Sequence, residues 1–289
     1  MSTLRQQMDQ AMVVRGLSPR TRESYLACVS GLARYYRRSP EQLDQAEIQA
    51  YLLHLISERH LAYASVNQAS CAFRFLFAKV LDNPSLALEI PMAKAPKRLP
   101  TVLSRSELAR LFAATTSLRN RTLLVTAYAA GLRVSELCAL QLSDIESAPD
   151  RMCLKVRQGK GSVDRYTLLS ARLLALLRAY WRCCRPQPWL FPGRGNAGPI
   201  DVKVAQRVYG LARDTAGLPR EGGIHTLRHC FATHLLEAGV DLHCIQRLLG
   251  HGHVSTTTRY LHLAQHQLTG TASPYELIDP LLLPPLPHS

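Results

Sequence analysis

The sequence predicts a mainly α-helical protein with a small antiparallel β-sheet, arranged as a helical N-terminal domain followed by an α+β domain. Three observations predict it. Apolar residues recur at three- and four-residue steps through most of the chain. Two short alternating runs, Met152 to Val156 and Arg165 to Leu169, flank Gln158-Gly159-Lys160-Gly161, which reads as a β-hairpin turning on its glycines. Pro84, Pro91, Pro96 and Pro100 interrupt the helical pattern together with Lys94, Lys97 and Arg98, which marks an extended basic connection. The expected divisions are a helical domain at 1–82, a linker at 83–100, a second domain at 101–264 and a Pro-rich tail at 265–289.

Taken in order, Ser18-Pro19 supplies an N-cap and a first-turn proline for a helix through Tyr25, Val29 and Leu32. Leu43, Ile48, Tyr51, Leu52 and Leu55 form a second stripe, and Val66, Cys71, Phe73, Phe75, Leu76 and Val80 belong to a further helix, giving a small four-helix domain. Past the linker, Ser104-Arg-Ser-Glu107 is a capping-box pattern opening a helix through Leu108, Leu111 and Phe112. A helix from Leu118 to Ala130 stops at Gly131. After the hairpin, the stretches 173–181, 202–212, 227–237 and 242–249 are periodic, the last two closed by Gly239 and Gly250. The tail DPLLLPPLPHS is expected to be an extended arm.

Composition narrows the function classes. With 47% hydrophobic and 19% charged residues over 289 positions, the chain is neither disordered nor a disulfide miniprotein, and it supports two domains. No apolar run approaches the roughly 18 to 20 residues that cross a bilayer, so no membrane contact is expected. The start, MSTLRQQMDQ, lacks a secretory apolar segment, so a cytoplasmic location is expected. The eight cysteines include no C-x-x-C pair and read as reduced core residues. Lys and Arg outnumber Asp and Glu 35 to 21, a formal charge of +14 that favours a polyanionic partner, nucleic acid above all. Of the 35 cations 29 are arginines, whose planar fork grips phosphate oxygens in pairs. Arg15, Arg20, Arg22, Arg34, Arg37 and Arg38, with Lys94, Lys97 and Arg98 of the linker, are candidate contacts to a DNA backbone.

Four local patterns carry chemistry: Gly131-Leu-Arg133-Val-Ser-Glu136, Gly159-Lys160-Gly161, His225-Thr-Leu-Arg228-His229, and Leu248-Leu-Gly-His251 followed nine residues later by Tyr260. Together they hold what phosphoryl transfer without a metal or other cofactor requires. A phosphodiester in its pentavalent transition state gathers charge on two oxygens, and Arg133 and Arg228 supply rigid donors for them. His225, at i, i+3 from Arg228, faces the same side and can hydrogen-bond an oxygen or relay a proton, and His251 is a further donor. A tyrosine hydroxyl is a poor nucleophile at neutral pH unless a cationic pocket and a base assist it, which suits Tyr260 beside such a set. Lys160, on a flexible stem, can protonate the departing alkoxide.

In these residues the sequence resembles the tyrosine recombinases, also called phage-type integrases, whose second domain shows an Arg, a hairpin Lys, a His-x-x-Arg, a His or Trp, and a Tyr in this order. The motifs span roughly residues 100 to 262, and residues 1 to 82 look like the SAM-like helical core-binding domain that precedes them in the family. The resemblance implies that Tyr260 is the nucleophile, that Arg133 and Arg228 bind the scissile phosphate, that Lys160 is the general acid, and that His225 and His251 assist. Glu136 resembles a supporting acidic position that orients Arg133. It further implies double-stranded DNA as substrate, a 3'-phosphotyrosyl intermediate, and a homotetramer on paired sites assembled from free monomers or dimers, with accessory recombination factors as further partners.

The role expected on this basis is integration, excision or transposition of a mobile element, with an Xer-type chromosome-dimer resolvase as the alternative. Three other readings compete. A zinc hydrolase would use His225 and His229 with His251 or His253, but Thr226 stands where such sites carry a carboxylate base, and Arg228 repels a dication. A type IB topoisomerase would share the chemistry without synapsis. A non-catalytic DNA-binding protein would have no use for the tyrosine.

The hairpin also departs from the family pattern. Ser162 and Val163 stand where many relatives carry a further basic side chain, so a weaker DNA contact is expected there.

Overall fold

Helix starts follow the capping chemistry of the sequence. The computed structural model describes residues 3–94, 100–157 and 164–250, and the chain divides at residue 98 into two units, each with its own core. The first unit comprises α1 (Thr3–Val14), α2 (Pro19–Tyr36), α3 (Gln45–Ser57), α4 (Tyr63–Lys79) and α5 (Pro84–Glu89). Ser18 Oγ accepts the Thr21 N–H at 3.2 Å, and Pro19 takes the first helical position, where a missing N–H costs nothing. Asp44 and Glu47 close a capping box at the start of α3. The apolar stripes of α1 to α4 meet around Met12, Leu32, Ile48, Phe73 and Leu76, all fully buried.

Among the described residues this unit has five α-helices rather than the expected four, and the linker expected at 83–100 is packed structure over its first part. Asn83 Oδ1 accepts the Leu86 N–H at 3.2 Å and Pro84 again occupies a first turn, so a proline expected to break structure instead starts a helix. Ala87 and Ile90 fill the core, the Arg74 Nε donates to the Ile90 carbonyl at 2.9 Å, and the Asn67 amide brackets Ala93 at 2.7 and 2.8 Å. These contacts tie the chain to the first unit as far as residue 93.

The second unit comprises α6 (Arg105–Ala113), α7 (Leu118–Ala129), α8 (Val134–Cys138), strands β1 (Ile145–Ala148), β2 (Arg151–Val156) and β3 (Arg165–Leu168), then α9 (Ala171–Cys184), α10 (Val202–Thr215), α11 (His225–Glu237) and α12 (Leu242–Leu249). The expected capping box at Ser104 and Glu107 is present. The sheet is antiparallel in the order β1-β2-β3, with Leu154 opposite Ile145 on one side and Thr167 on the other. The expected hairpin therefore gains a third strand, since Ile145-Glu-Ser-Ala carries no alternation to announce it. Buried Leu154 and Val156 join the main core with Leu111, Leu124, Leu137, Phe191 and Leu227, while Phe231, Leu236, Ile245 and Leu249 pack α11 against α12.

Of the cysteines, Cys138 and Cys230 are core residues as expected, but Cys183, Cys184 and Cys244 are exposed. The first two sit in the last turn of α9, past Tyr180, the last buried residue of its apolar face. No helix among the described residues is long and apolar enough to cross a membrane.

One turn positions the site. The Gly131 N–H donates to the Tyr128 carbonyl and the Leu132 N–H to that of Ala127, both at 3.2 Å, the Schellman arrangement that ends a helix on a left-handed residue. Gly131 has φ +60°, and a Cβ there would lie 2.4 Å from the Phe231 ring. Gly131→Ala is expected to destabilise the second unit by about 2–4 kcal/mol, the left-handed penalty plus overpacking. Gly16→Ala, with φ +68° and open space around it, should cost only about 1–2 kcal/mol. Chemical denaturation of both variants checks the pair, and equal losses would show that the Phe231 contact is unimportant.

Candidate active site

Arg133 is the N-cap residue of α8 and Glu136 its third position, so one turn brings the two side chains together. Glu136 Oε2 accepts the Arg133 backbone N–H and Oε1 accepts Arg133 Nη1, both at 2.7 Å. From β3, Arg165 grips the same carboxylate with both terminal nitrogens, Nη1 to Oε1 at 2.8 Å and Nη2 to Oε2 at 2.7 Å. From α11, Arg228 Nη1 stands 3.6 Å from Oε2. The Glu136 side chain is 5% exposed, so a single carboxylate is buried among three guanidiniums.

The same arginines also satisfy the end of α12. The last carbonyls of a helix lack intrahelical partners and carry partial negative charge. Here the Leu248 carbonyl accepts Arg165 Nε at 2.9 Å, that of Leu249 accepts Arg228 Nη2 at 2.6 Å, and that of Gly250 accepts Arg133 Nη2 at 3.2 Å. Arg228 Nη1 further donates to the Gly131 carbonyl at 2.7 Å, which joins the turn after α7 to the cluster. Gly250 caps α12 at φ +63°, and a Cβ on it would come within 2.7 Å of Arg165 Cδ, so glycine is needed for both conformation and space.

Burial alone would raise the Glu136 pKa, but the hydrogen bonds and charge of Arg165, with the bonds from Arg133, outweigh it and hold the group at about 2. His225 opens α11, and desolvation of its ring with the charges of Arg228 and Arg133 lowers its pKa, against a smaller opposing pull from Glu136. It is therefore neutral at pH 7 and able to accept a proton.

The structure thus brings together Arg133, Glu136, Arg228 and His225 of the expected set. Lys160, His251 and Tyr260 lie outside the described residues, as do Lys97, Arg98 and the hairpin positions Ser162 and Val163. In the first unit, Arg15, Arg20 and Arg37 are exposed, as is Lys94, whereas Arg22 is half-buried and paired with Asp9 at 3.3 Å. Among the described residues no three metal-ligating side chains cluster, and His251 and His253 of the zinc reading are not among those described. Arg165 was not anticipated. Its signal was parity, since it shares a strand face with buried Thr167, and a charge at an inward position must find a partner.

The depressed pKa gives a testable sign. A carboxylate with a lowered folded-state pKa stabilises the fold above its unfolded value, near 4.5, and loses that contribution as pH falls towards 2. Glu136→Gln is therefore expected to be less stable than the parent at pH 7, with the gap narrowing as the pH is lowered below about 4.5. Urea unfolding at a series of pH values reads this, and a gap that widens on acidification would contradict the assignment.

Comparison with known proteins places this arrangement. Residues 101–267 match the phage integrase family and residues 4–86 its N-terminal SAM-like domain. A protein named as an integrase/recombinase in Sinorhizobium fredii is 42% identical over 287 residues, covering 99% of this chain and 92% of the relative. Tyrosine recombinase XerD of Caulobacter vibrioides is 34% identical, covering 90% of this chain and 92% of its own length. Among solved structures, XerH site-specific recombinase bound to a palindromic difH substrate is similar with a TM-score of 0.73 at 22% identity, covering 92% of this chain and 83% of that one. A lambda integrase dimer on a core site has the same TM-score at 21% identity, covering 88% and 96%. The chain belongs to the phage integrase family of tyrosine recombinases, enzymes of site-specific DNA recombination that cleave DNA and rejoin it.

Proposed function

We propose that Arg133 and Arg228 hold the scissile phosphate of double-stranded DNA while Tyr260 attacks it. The observation that carries this reading is the joint tethering of both guanidiniums to Glu136 and to the carbonyls of Leu249 and Gly250, the residues directly before His251 in sequence. Fixed donors cost no reorganisation when charge builds up on the non-bridging oxygens. Arg133, with a side chain 21% exposed, is the more accessible of the two, and Arg228, at 6%, is the more deeply held.

The proton inventory follows from the electrostatics. Neutral His225 takes the proton of the Tyr260 hydroxyl as its oxygen bonds to phosphorus. The bond from phosphorus to the 5' oxygen breaks, Lys160 protonates that oxygen, and a 3'-phosphotyrosyl ester remains with a free 5' hydroxyl. Attack by a 5' hydroxyl reverses the steps and rejoins the strand. The ester conserves the free energy of the broken linkage, so rejoining draws on no nucleotide hydrolysis. His251 is assigned as a further donor to the phosphate and Glu136 as the group that orients Arg133.

The exposed cations Arg15, Arg20, Arg37 and Lys94 are assigned to the DNA backbone, with Lys97 and Arg98, and Arg22 contributes less because Asp9 already matches its charge. A similar solved structure, a lambda integrase tetramer bound to a Holliday junction, supports assembly as a tetramer on paired sites. The role assigned is integration, excision or transposition of a mobile element, with 42% and 40% identity to two proteins of Sinorhizobium fredii named as integrase/recombinases beside 34% to XerD.

The test uses the purified full chain and nicked duplexes tiling the DNA that flanks its own gene. The parent is expected to form a covalent adduct on at least one duplex, and Tyr260→Phe to bind that duplex but form none. Adduct from Tyr260→Phe, or none from the parent on any duplex, would remove the assignment. Lys160→Ala is expected to cleave a 5'-bridging phosphorothiolate at near-parental rate, since a thiolate leaves without protonation, yet to be slowed about 100-fold or more on ordinary DNA. Equal defects on both substrates would take the general-acid role from Lys160.

A further inference from the structure

We infer that Arg165 is a positioning residue for strand cleavage, fastening Glu136 to the end of α12 and so setting the spacing at which Arg133 and Arg228 are presented. The inference rests on the reading of the site given above and adds a residue to it. All three guanidinium nitrogens of Arg165 are engaged within the protein, Nε with the Leu248 carbonyl and Nη1 and Nη2 with the two Glu136 oxygens. Its side chain is 9% exposed, against 21% for Arg133. Arg165 thus has all three nitrogens engaged inside the protein, and Arg133, the most exposed of the three guanidiniums, meets a ligand phosphate first.

The bridge joins three elements far apart in sequence. Arg165 pairs with Val156 as the first residue of β3, Glu136 lies in α8, and Leu248 in the last turn of α12. A planar fork is required, because one side chain has to meet two carboxylate oxygens and a carbonyl at once, which a lysine ammonium on its flexible stem does not reproduce. The space is reserved for it, since any side chain at position 250 would strike its Cδ. Without the fork, Glu136 keeps only Arg133 as a close partner, and Arg228 Nη1, already 3.6 Å away, is the cation drawn towards it and away from the carbonyl of Gly131. Displacing a phosphate-binding group by about 1 Å can cost about 100-fold in rate.

The experiment measures single-turnover adduct formation on the nicked duplex that the parent cleaves, together with affinity for the same duplex. Arg165→Lys is expected to be slowed about 100-fold with affinity changed less than about threefold. Arg165→Gln should be at least as slow, and Arg165→Gln combined with Glu136→Gln no slower than the worse single variant, since both act through one contact. Parental rates in both Arg165 variants, equal losses of rate and affinity, or multiplicative losses in the double variant would each overturn the inference. Should Arg165→Gln melt below the assay temperature, the cycle is run with Arg165→Lys. Tyr260→Phe is assayed alongside: adduct there removes the nucleophile assignment, whereas parental Arg165 variants beside an inert Tyr260→Phe remove only the positioning role.

Discussion

One buried carboxylate holds this site together. Glu136 gives up its hydration and is repaid by a backbone N–H and two close guanidiniums, with a third a short distance further away. Three cations around one anion would repel one another if that were the whole arrangement. The excess positive charge is met by carbonyl dipoles, three of them consecutive at the end of α12 and one at the turn after α7. A buried ionic cluster of this kind adds little net stability compared with apolar packing, but it permits few alternative registers, which is what the proposed reaction centre requires.

The cluster is assembled from segments that approach from different parts of the second unit. α8 provides Arg133 and Glu136, β3 provides Arg165, α11 provides Arg228, and α12 provides only backbone. Two glycine turns make the approach possible. Gly131 ends α7 against the Phe231 ring and offers its carbonyl to Arg228, so the turn that redirects the chain is itself a ligand of the cluster. Gly250 ends α12 where any side chain would collide with Arg165. Helix ends and one strand, rather than helix faces, hold the cluster.

What could be read from sequence was mostly local. Ser18, Ser104 and Gly250 act within one turn of themselves, and their caps appear where the residue types demand them. Arg133 with Glu136 was legible for the same reason, being neighbours at i, i+3. The partners of Arg165 were not, because they lie 29 and 83 residues away, and strand parity says only that an inward arginine must be paired, not with what. Pro84 misled in the opposite direction: proline clusters suggest extended chain, yet a capping asparagine before it turns the same residue into a helix start. The exposed cysteines show a similar limit, since a cysteine beside an apolar stripe need not lie on it.

That the chain carries two separate cores has a bearing on how its unfolding can be observed. Both tryptophans, Trp181 and Trp189, belong to the second unit, Trp181 lying beneath the Arg185 guanidinium at 3.9 Å and Trp189 bridged to Gln141. Indole emission therefore reports on the half that contains the arginine cluster and is blind to the five helices before it. A melting curve followed by fluorescence alone would assign one half's midpoint to the whole protein, and a lesion in α1 to α5 would pass as harmless.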